Sequence, residues 1–314
     1  MPGVSYIIPT YNRPQELNAC LQSVLRQTVM PNELIIIDDG DLDDIPQRLA
    51  LERAGIRCTL HKKKEPGLTA SRNAGWRLAH GDIICYTDDD VVLRPDYFER
   101  LLDTYEKHDA DGRLMGVGGQ IANNKPHDFR YLMRWLYNFL FMMGGFKQGR
   151  VLPSGFTVDP GDVPVSTNAP MEVEFFSGCS MSFRRKLFDA FEFSENYKGY
   201  GLGEDKEFCC RVSRRYRLML NPAAVLDHFE SPQMRDPMRK RGRQNVLHRY
   251  SFFRSFAYRR WWNLVFFWYA MSGYTLLWSL SAAITADPQQ RERVRGMWEA
   301  IGMIWRGDAQ LEPR

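Results

Sequence analysis

Short apolar runs alternate with helical patterns through the first 120 residues. Val4-Ser5-Tyr6-Ile7-Ile8 reads as a strand, which Pro9 should end because proline brings no N–H to a ladder. From Glu16 to Gln27, the apolar residues Leu17, Cys20, Leu21, Val24 and Leu25 fall on one helical face. Leu34-Ile35-Ile36-Ile37 is apolar throughout, as expected of a strand buried on both faces of a parallel sheet. A weaker strand follows over Arg57–His61, then a helix over Leu68–Ala79 and a strand over Asp82–Thr87. The next helix, Pro95–His108, carries proline in its first turn. Strands alternating with helices predict an α/β domain with a mostly parallel sheet. Ligands of such sheets bind beyond the carboxyl ends of the strands, where Asp38-Asp39 and Asp88-Asp89-Asp90 lie.

The pattern loosens after residue 120. Arg130 to Phe146 is rich in aromatic residues and Met, and Pro153 to Pro170 reads as a long loop, a feature more often functional than idle. Beyond Pro237 a basic helix is expected, followed by Trp261 to Ala286 without one charge. These changes divide the chain at 1–120, 121–232 and 233–314.

Composition narrows the class. With 314 residues, 44% apolar and 25% charged, the chain can build ample core and is not extensively disordered. The net charge of +4 is unevenly placed, with nine Arg or Lys between residues 235 and 260 against the single acid Asp236. Such a basic, aromatic stretch suits an anionic membrane surface or nucleic acid. The six cysteines show no CxxC pair and read as reduced, mostly buried thiols of a cytosolic compartment. No leader is expected, since a strand begins directly after Met1-Pro2-Gly3.

The acids carry the candidate chemistry. In an extended chain Asp88 and Asp90 project to one side and Asp89 to the other, so two carboxylates can face a hard cation such as Mg²⁺ or Mn²⁺. Alone, the triple Asp reads first as a solvated acidic turn. Gly203-Glu204-Asp205 precedes Phe208, Cys209, Val212 and Tyr216 at helical spacing, which puts the acids at a helix N-terminus. Taken alone, they read first as helix-capping acids, ahead of a general base. His228 joins a metal site only if the acids at 88–90 lie beside it, and Asp38-Asp39-Gly40 also suits a strand-ending turn.

In combination, the ordered segments resemble the inverting family-2 glycosyltransferases of the GT-A fold, over roughly residues 3–232. The resemblance rests on Ile8-Pro9-Thr10-Tyr11-Asn12-Arg13, Ile37-Asp38-Asp39-Gly40, Pro66-Gly67-Leu68 with Ser71-Arg72-Asn73-Ala74-Gly75, Thr87 to Asp90, Phe176-Ser177-Gly178-Cys179-Ser180, and Gly203-Glu204-Asp205. It implies that Pro9, Thr10, Tyr11 and Arg13 line a nucleotide-sugar donor, that Asp39 contacts its base, and that Arg72 lies near base or phosphate. By the same likeness Asp88 and Asp89 border the donor, and Asp88, Asp90 and His228 bind Mn²⁺ or Mg²⁺. Asp205 aligns with the catalytic base, with Glu204 beside it, and Gly178, Cys179 and Ser180 border a hydroxyl acceptor. The family's processive synthases carry Gln-x-x-Arg-Trp after the base. Here Arg134-Trp135 precedes it and Arg260-Trp261 lacks the glutamine, which favours one sugar per acceptor.

The tail adds a place of action. Trp261–Ala286 is long enough to span a bilayer, but Asn263, Gly273 and several serines dilute it, and basic residues flank both ends. Aromatic residues next to a basic helix suit residence at the interface better, on the cytoplasmic face. A peripheral enzyme with a lipid-linked acceptor of the cell envelope is therefore expected, with an oligomer interface as the other use of this segment. Nucleic acid is not an expected partner. Two rivals are a sugar-nucleotide pyrophosphorylase, which would need a Gly-rich Arg-containing loop where Pro9 to Arg13 stands, and a catalytically silent membrane scaffold.

Overall fold

The computed structural model describes residues 2–122, 129–160, 163, 168–195, 203–229 and 237–308. In chain order the elements begin β1 (Val4–Thr10), α1 (Pro14–Val24), β2 (Glu33–Asp38), α2 (Arg48–Arg53), β3 (Arg57–Lys62) and α3 (Leu68–Leu78). They continue with β4 (Ile83–Tyr86), β5 (Val91–Leu93), α4 (Tyr97–His108), β6 (Leu114–Ile121), α5 (Phe129–Leu140), β7 (Arg150–Val151) and β8 (Thr157–Val158). The chain then runs through β9 (Met171–Val173), β10 (Met181–Arg184), α6 (Glu204–Ser213), β11 (Arg217–His228), α7 (Met238–Phe252), α8 (Trp261–Thr285) and α9 (Pro288–Arg306). Two compact units result: Met1–Asn124 with Ser166–Ser231, and Lys125–Val165 with Pro232–Arg314.

The first unit is α/β. Its sheet runs β3-β2-β1-β4-β10-β6-β11-β5, with β9 also on β11. Strands β3, β2, β1, β4, β6 and β11 share one direction, while β10, β5 and β9 oppose it. Both faces of β1 are covered. Tyr6 and Ile8 join Leu17, Leu21 and Val24 of α1 and Phe98 and Leu101 of α4 in one core cluster. Ile7, pointing the other way, meets Gly75 of α3 so closely that a Cβ there would lie 2.4 Å from its Cγ2.

Pro9 does not end β1, which pairs with β2 through Thr10. The carbonyls of Val4 and Thr10 accept from the β2 side, whereas those of Gly3 and Ile7 accept from the β4 side. Pro9 shares the parity of Ile7, and β4 stops at Tyr86, opposite Ile7. The missing N–H therefore falls where no ladder partner remains. Helix α4 likewise starts later than expected, with Asp96 at its N-cap and Pro95 before the helix rather than in its first turn. The chain after β4 and in the middle third is also more regular than its sequence implies. Strands β5 and β9 have 3 residues each, too few for an alternation to register.

The second unit is helical, with β7 and β8 as a small hairpin. Its core gathers Phe156, Val246, Phe253, Phe267, Met271, Met297 and Ala300. A π-helical turn, Phe253–Ala257, separates α7 from α8. Part of the expected loop (161–162 and 164–167) and of the basic segment (235–236) lies outside the described residues. Among the described residues, no helix is long and apolar enough to cross a membrane. The six cysteines are all free.

Candidate active site

The acids meet at the carboxyl ends of β1 and β4, the point where the order β3-β2-β1 turns back to β4. After β4 the chain makes the Thr87–Asp90 turn and enters β5, which pairs antiparallel with the end of β11 so that His228 faces Val91. The Phe229 N–H donates to the Asp90 carbonyl at 2.9 Å. This register brings the His228 Nε2 to 3.1 Å from the Asp90 Oδ1, across more than half the sequence of the unit. Asp88, Asp90 and His228 each offer a ligand atom, and these atoms lie within 4.8 Å of one another. Two carboxylates and an imidazole form a donor set suited to Mg²⁺ or Mn²⁺.

Asp89 turns the other way. It accepts from Thr10 Oγ1 at 2.7 Å and meets Arg13 Nη1 at 3.2 Å, while the same nitrogen reaches Asp90 Oδ2 at 3.3 Å. Burial pushes the Asp89 carboxyl up to about 6, against the pull of Thr10 and Arg13. Thr10 and Arg13 thus tie the loop after β1 to the acidic turn, with Tyr11 half-buried between them.

Asp38 and Asp39 divide their work. Asp38 is buried and accepts the N–H groups of Gly40 and Leu42 at 2.8 and 2.9 Å, which closes the turn after β2. Asp39 points to the start of α3. There it accepts the Gly67 N–H at 2.9 Å, lies 2.8 Å from Ser71 Oγ and pairs with Lys63 Nζ at 3.0 Å. Sequence reasoning missed Lys63, because one lysine in the run Lys62-Lys63-Lys64 reads as part of a solvated face.

Arg72 is the unexpected centre. Only 1% exposed, it contacts Glu204, lies 3.5 Å from Asp88 and reaches the Gly178 carbonyl at 3.3 Å. Burial alone would lower its pKa, but Glu204 and Asp88 outweigh that and hold it above the usual value. Burial pushes the Glu204 carboxyl up to about 8, with Arg72 opposing. Asp88 is also raised, by burial first and then by Asp90 and Asp205 against the pull of Arg72 and His228. The guanidinium therefore links the acidic turn, the Ser177–Ser180 loop and the first turn of α6.

Asp205 follows Glu204 on α6 and is half-buried. Its Oδ2 accepts the Gly178 N–H at 2.8 Å and its Oδ1 the Lys206 N–H at 2.8 Å. Gly178 is needed for this approach, since a Cβ would lie 2.9 Å from Arg72 Nη2 and 3.4 Å from Asp205 Oδ2. Glu204 is thus the buried partner of Arg72 and Asp205 the accessible carboxylate of the pair. The neighbours of Gly178 turn inward. Cys179 is buried, and Ser180 Oγ lies 2.7 Å from the Tyr97 hydroxyl and accepts the Gly119 N–H. Asn73 clamps the far side, exchanging hydrogen bonds with the Phe193 backbone at 2.9 and 3.0 Å. A separate groove of about 480 Å³ in the helical unit, lined in part by Arg239, Arg243, Trp298 and Arg306, contains none of these residues.

Comparison with known proteins bears on the family and the fold. The model of the family described as Glycosyl transferase family 2 matches residues 5–163, just over half of the chain. A sequence similar to this one is the uncharacterized glycosyltransferase YwdF of Bacillus subtilis, 36% identical over 106 residues, 34% of this chain and 39% of that protein. The glucosyl-dolichyl phosphate glucuronosyltransferase of Haloferax volcanii is 34% identical over 142 residues, 42% of this chain and 44% of that protein. The chain thus spans less than half the length of these curated relatives. Among solved structures, the mannosyltransferase PcManGT of Pyrobaculum calidifontis, in complex with GDP-Man and Mn²⁺, has a TM-score of 0.56 at 18% identity, over 96% of this chain and 87% of that one. That likeness is one of GT-A fold.

Proposed function

This chain belongs to glycosyl transferase family 2, and on that premise we propose that it is a metal-dependent, inverting glycosyltransferase that moves one sugar from a nucleotide-sugar donor to an acceptor hydroxyl. The observation that carries the reading is the meeting of Asp88, Asp90 and His228 beside the network that holds Asp205. Bound there, Mn²⁺ or Mg²⁺ would offset the charge of the departing nucleoside diphosphate.

The loop Pro9 to Arg13, with Asp39 and the start of α3, forms the donor side, and the backbone around Gly178 forms the acceptor side. Asp205 is the general base. Two backbone N–H groups orient its carboxylate and leave it half-exposed to an incoming hydroxyl. It takes the acceptor proton as the oxygen attacks the anomeric carbon and the bond to the diphosphate breaks on the opposite face. One displacement inverts the configuration. Glu204 serves through Arg72, as a positioning residue.

The relative named for a glucosyl-dolichyl phosphate substrate supports a lipid-linked acceptor, and the basic, aromatic second unit supports attachment to an anionic membrane surface from the cytoplasmic side. The test is a donor screen that follows nucleoside diphosphate release with Mn²⁺ or Mg²⁺. One donor turned over only with metal is the expected result. Absence of any metal-dependent turnover, with lipid-linked acceptors included, would reject the reading.

A further inference from the structure

Helix α5 is built inside out for a helix in water. Phe129, Leu132, Met133, Leu136, Phe139 and Leu140 are all exposed, and their spacing puts them on one stripe about 120° wide with no charge in it. Tyr131 and Trp135 fill the opposite, buried face. The stripe continues onto α8 in the same unit. Phe141 stacks on Tyr269 at 5.3 Å, and the Tyr269 hydroxyl donates to the Leu140 carbonyl at 3.2 Å. Along α8, the residues Trp261, Val265, Tyr269, Leu276 and Leu280 are exposed, while Phe267, Ala270, Met271 and Gly273 pack inward. Isolated exposed apolar residues are ordinary, but a continuous face on two helices marks a contact surface.

Charge selects the occupant. From Met238 to Ala286 the chain holds eight Arg or Lys and no carboxylate, and α5 also has no acid. In the π-helical turn before α8, Arg254 lies over Tyr258 at 4.5 Å, and at the start of α8 Arg260 lies over Trp262 at 4.7 Å, next to Trp261, which is 71% exposed. Arg130 and Arg134 lie on α5 outside the stripe, and Lys147 follows the helix. A second copy would set these cations against one another. A bilayer with anionic headgroups pairs them with phosphates and takes the aromatic residues at its boundary. Only one face of α8 is free, so the helix can lie in the interface without spanning it.

We propose that the outward faces of α5 and α8 form one membrane-inserting surface, with α5 entering the acyl boundary of an anionic leaflet alongside the tail. The proposal rests on the membrane reading above and extends it to a segment more than 100 residues upstream in the sequence.

The experiment is flotation of the full chain with phosphatidylcholine vesicles with and without 30% phosphatidylglycerol, on the order of physiological leaflet charge. It compares the unmodified chain with L132E/L136E, and adds an environment-sensitive dye on Leu136→Cys. The unmodified chain should float with anionic vesicles, L132E/L136E should bind about tenfold less or weaker, and the dye should shift to the blue. Unchanged thermal unfolding would show that the exposed glutamates leave the fold intact. Equal flotation of both proteins with no dye shift would overturn the role of α5 and leave the tail as the anchor. No flotation of the unmodified chain would overturn the membrane reading as well. An oligomer dissolved by L132E/L136E would then identify the stripe as a subunit interface.

Discussion

The two units break the rule of apolar inside and polar outside in opposite directions. The α/β unit buries Arg72, Ser71, Asn73, Asp89 and Glu204, while the helical unit exposes Phe129, Leu140, Trp261 and Ile284. The buried polar groups are compensated inside the fold by ion pairs and hydrogen bonds such as Arg72 with Glu204 and Asn73 with the Phe193 backbone, whereas the exposed apolar face points to a contact outside it. In the first unit the buried charges link the acidic turn to the loop around Gly178 and to α6. In the second, the exposed apolar face awaits a surface. The contrast separates chemistry from location, and variants in one unit should leave the other property unchanged.

The sharpest break of that contrast is Asp205→Asn. It should lower turnover by about 10² to 10⁴ while vesicle binding and donor affinity stay near normal, as rates and binding isotherms would reveal. Near-normal turnover would move the base elsewhere. Next, Asp90→Ala should reduce turnover more than His228→Ala, because a carboxylate carries the charge that a divalent cation needs, whereas the imidazole contributes a neutral donor. Metal titrations of both rates would check the order, and equal losses would count against it.

Arg72→Met tests the hub. It leaves the ionised forms of Glu204 and Asp88 without their shared cation, and truncating one partner of a buried charged pair costs about 3–5 kcal/mol. That loss is to be read above the Glu204 value of about 8, where that carboxyl is charged. Denaturant unfolding should show that loss, with part of it recovered in Arg72→Met with Glu204→Gln. The smallest effect concerns pH. The Glu204 carboxyl rises from its ordinary 4.5 to about 8 in the folded state. The folded protein therefore keeps this proton to higher pH than the unfolded chain does. The stabilisation is full below the ordinary value and declines as pH rises through the folded one. Melting temperature measured from pH 5 to 9 should fall less in Glu204→Gln than in the unmodified chain.

Much of the first unit was legible in the sequence, because buried strands such as Leu34–Ile37 and one-faced helices such as α1 leave periodic signals. The ordered acids marked the end of the sheet where Asp88, Asp90 and His228 gather. What escaped depended on pairing across long sequence distances. The register of β5 with β11, which sets His228 beside Asp90, involves a 3-residue strand with no alternation to detect. Arg72 stood out in the sequence, yet its acidic partners Glu204 and Asp88 could not be read there, since an arginine's partner is fixed by tertiary contact. In the second unit, the aromatic and Met-rich stretch at Arg130–Phe146 was evident, but which face of α5 points outward is a matter of packing. Lys63 was hidden among its own neighbours.

The most direct measurement is calorimetric titration of nucleoside diphosphates, with and without Mn²⁺, into the unmodified chain, Asp90→Ala and Asp205→Asn. If Asp88, Asp90 and His228 hold a cation that bridges to the diphosphate, and Asp205 acts only on the acceptor, binding will depend on metal in the unmodified chain and in Asp205→Asn and will be lost in Asp90→Ala. Metal-independent binding in all three, or binding that Asp90→Ala leaves unchanged, would contradict the account.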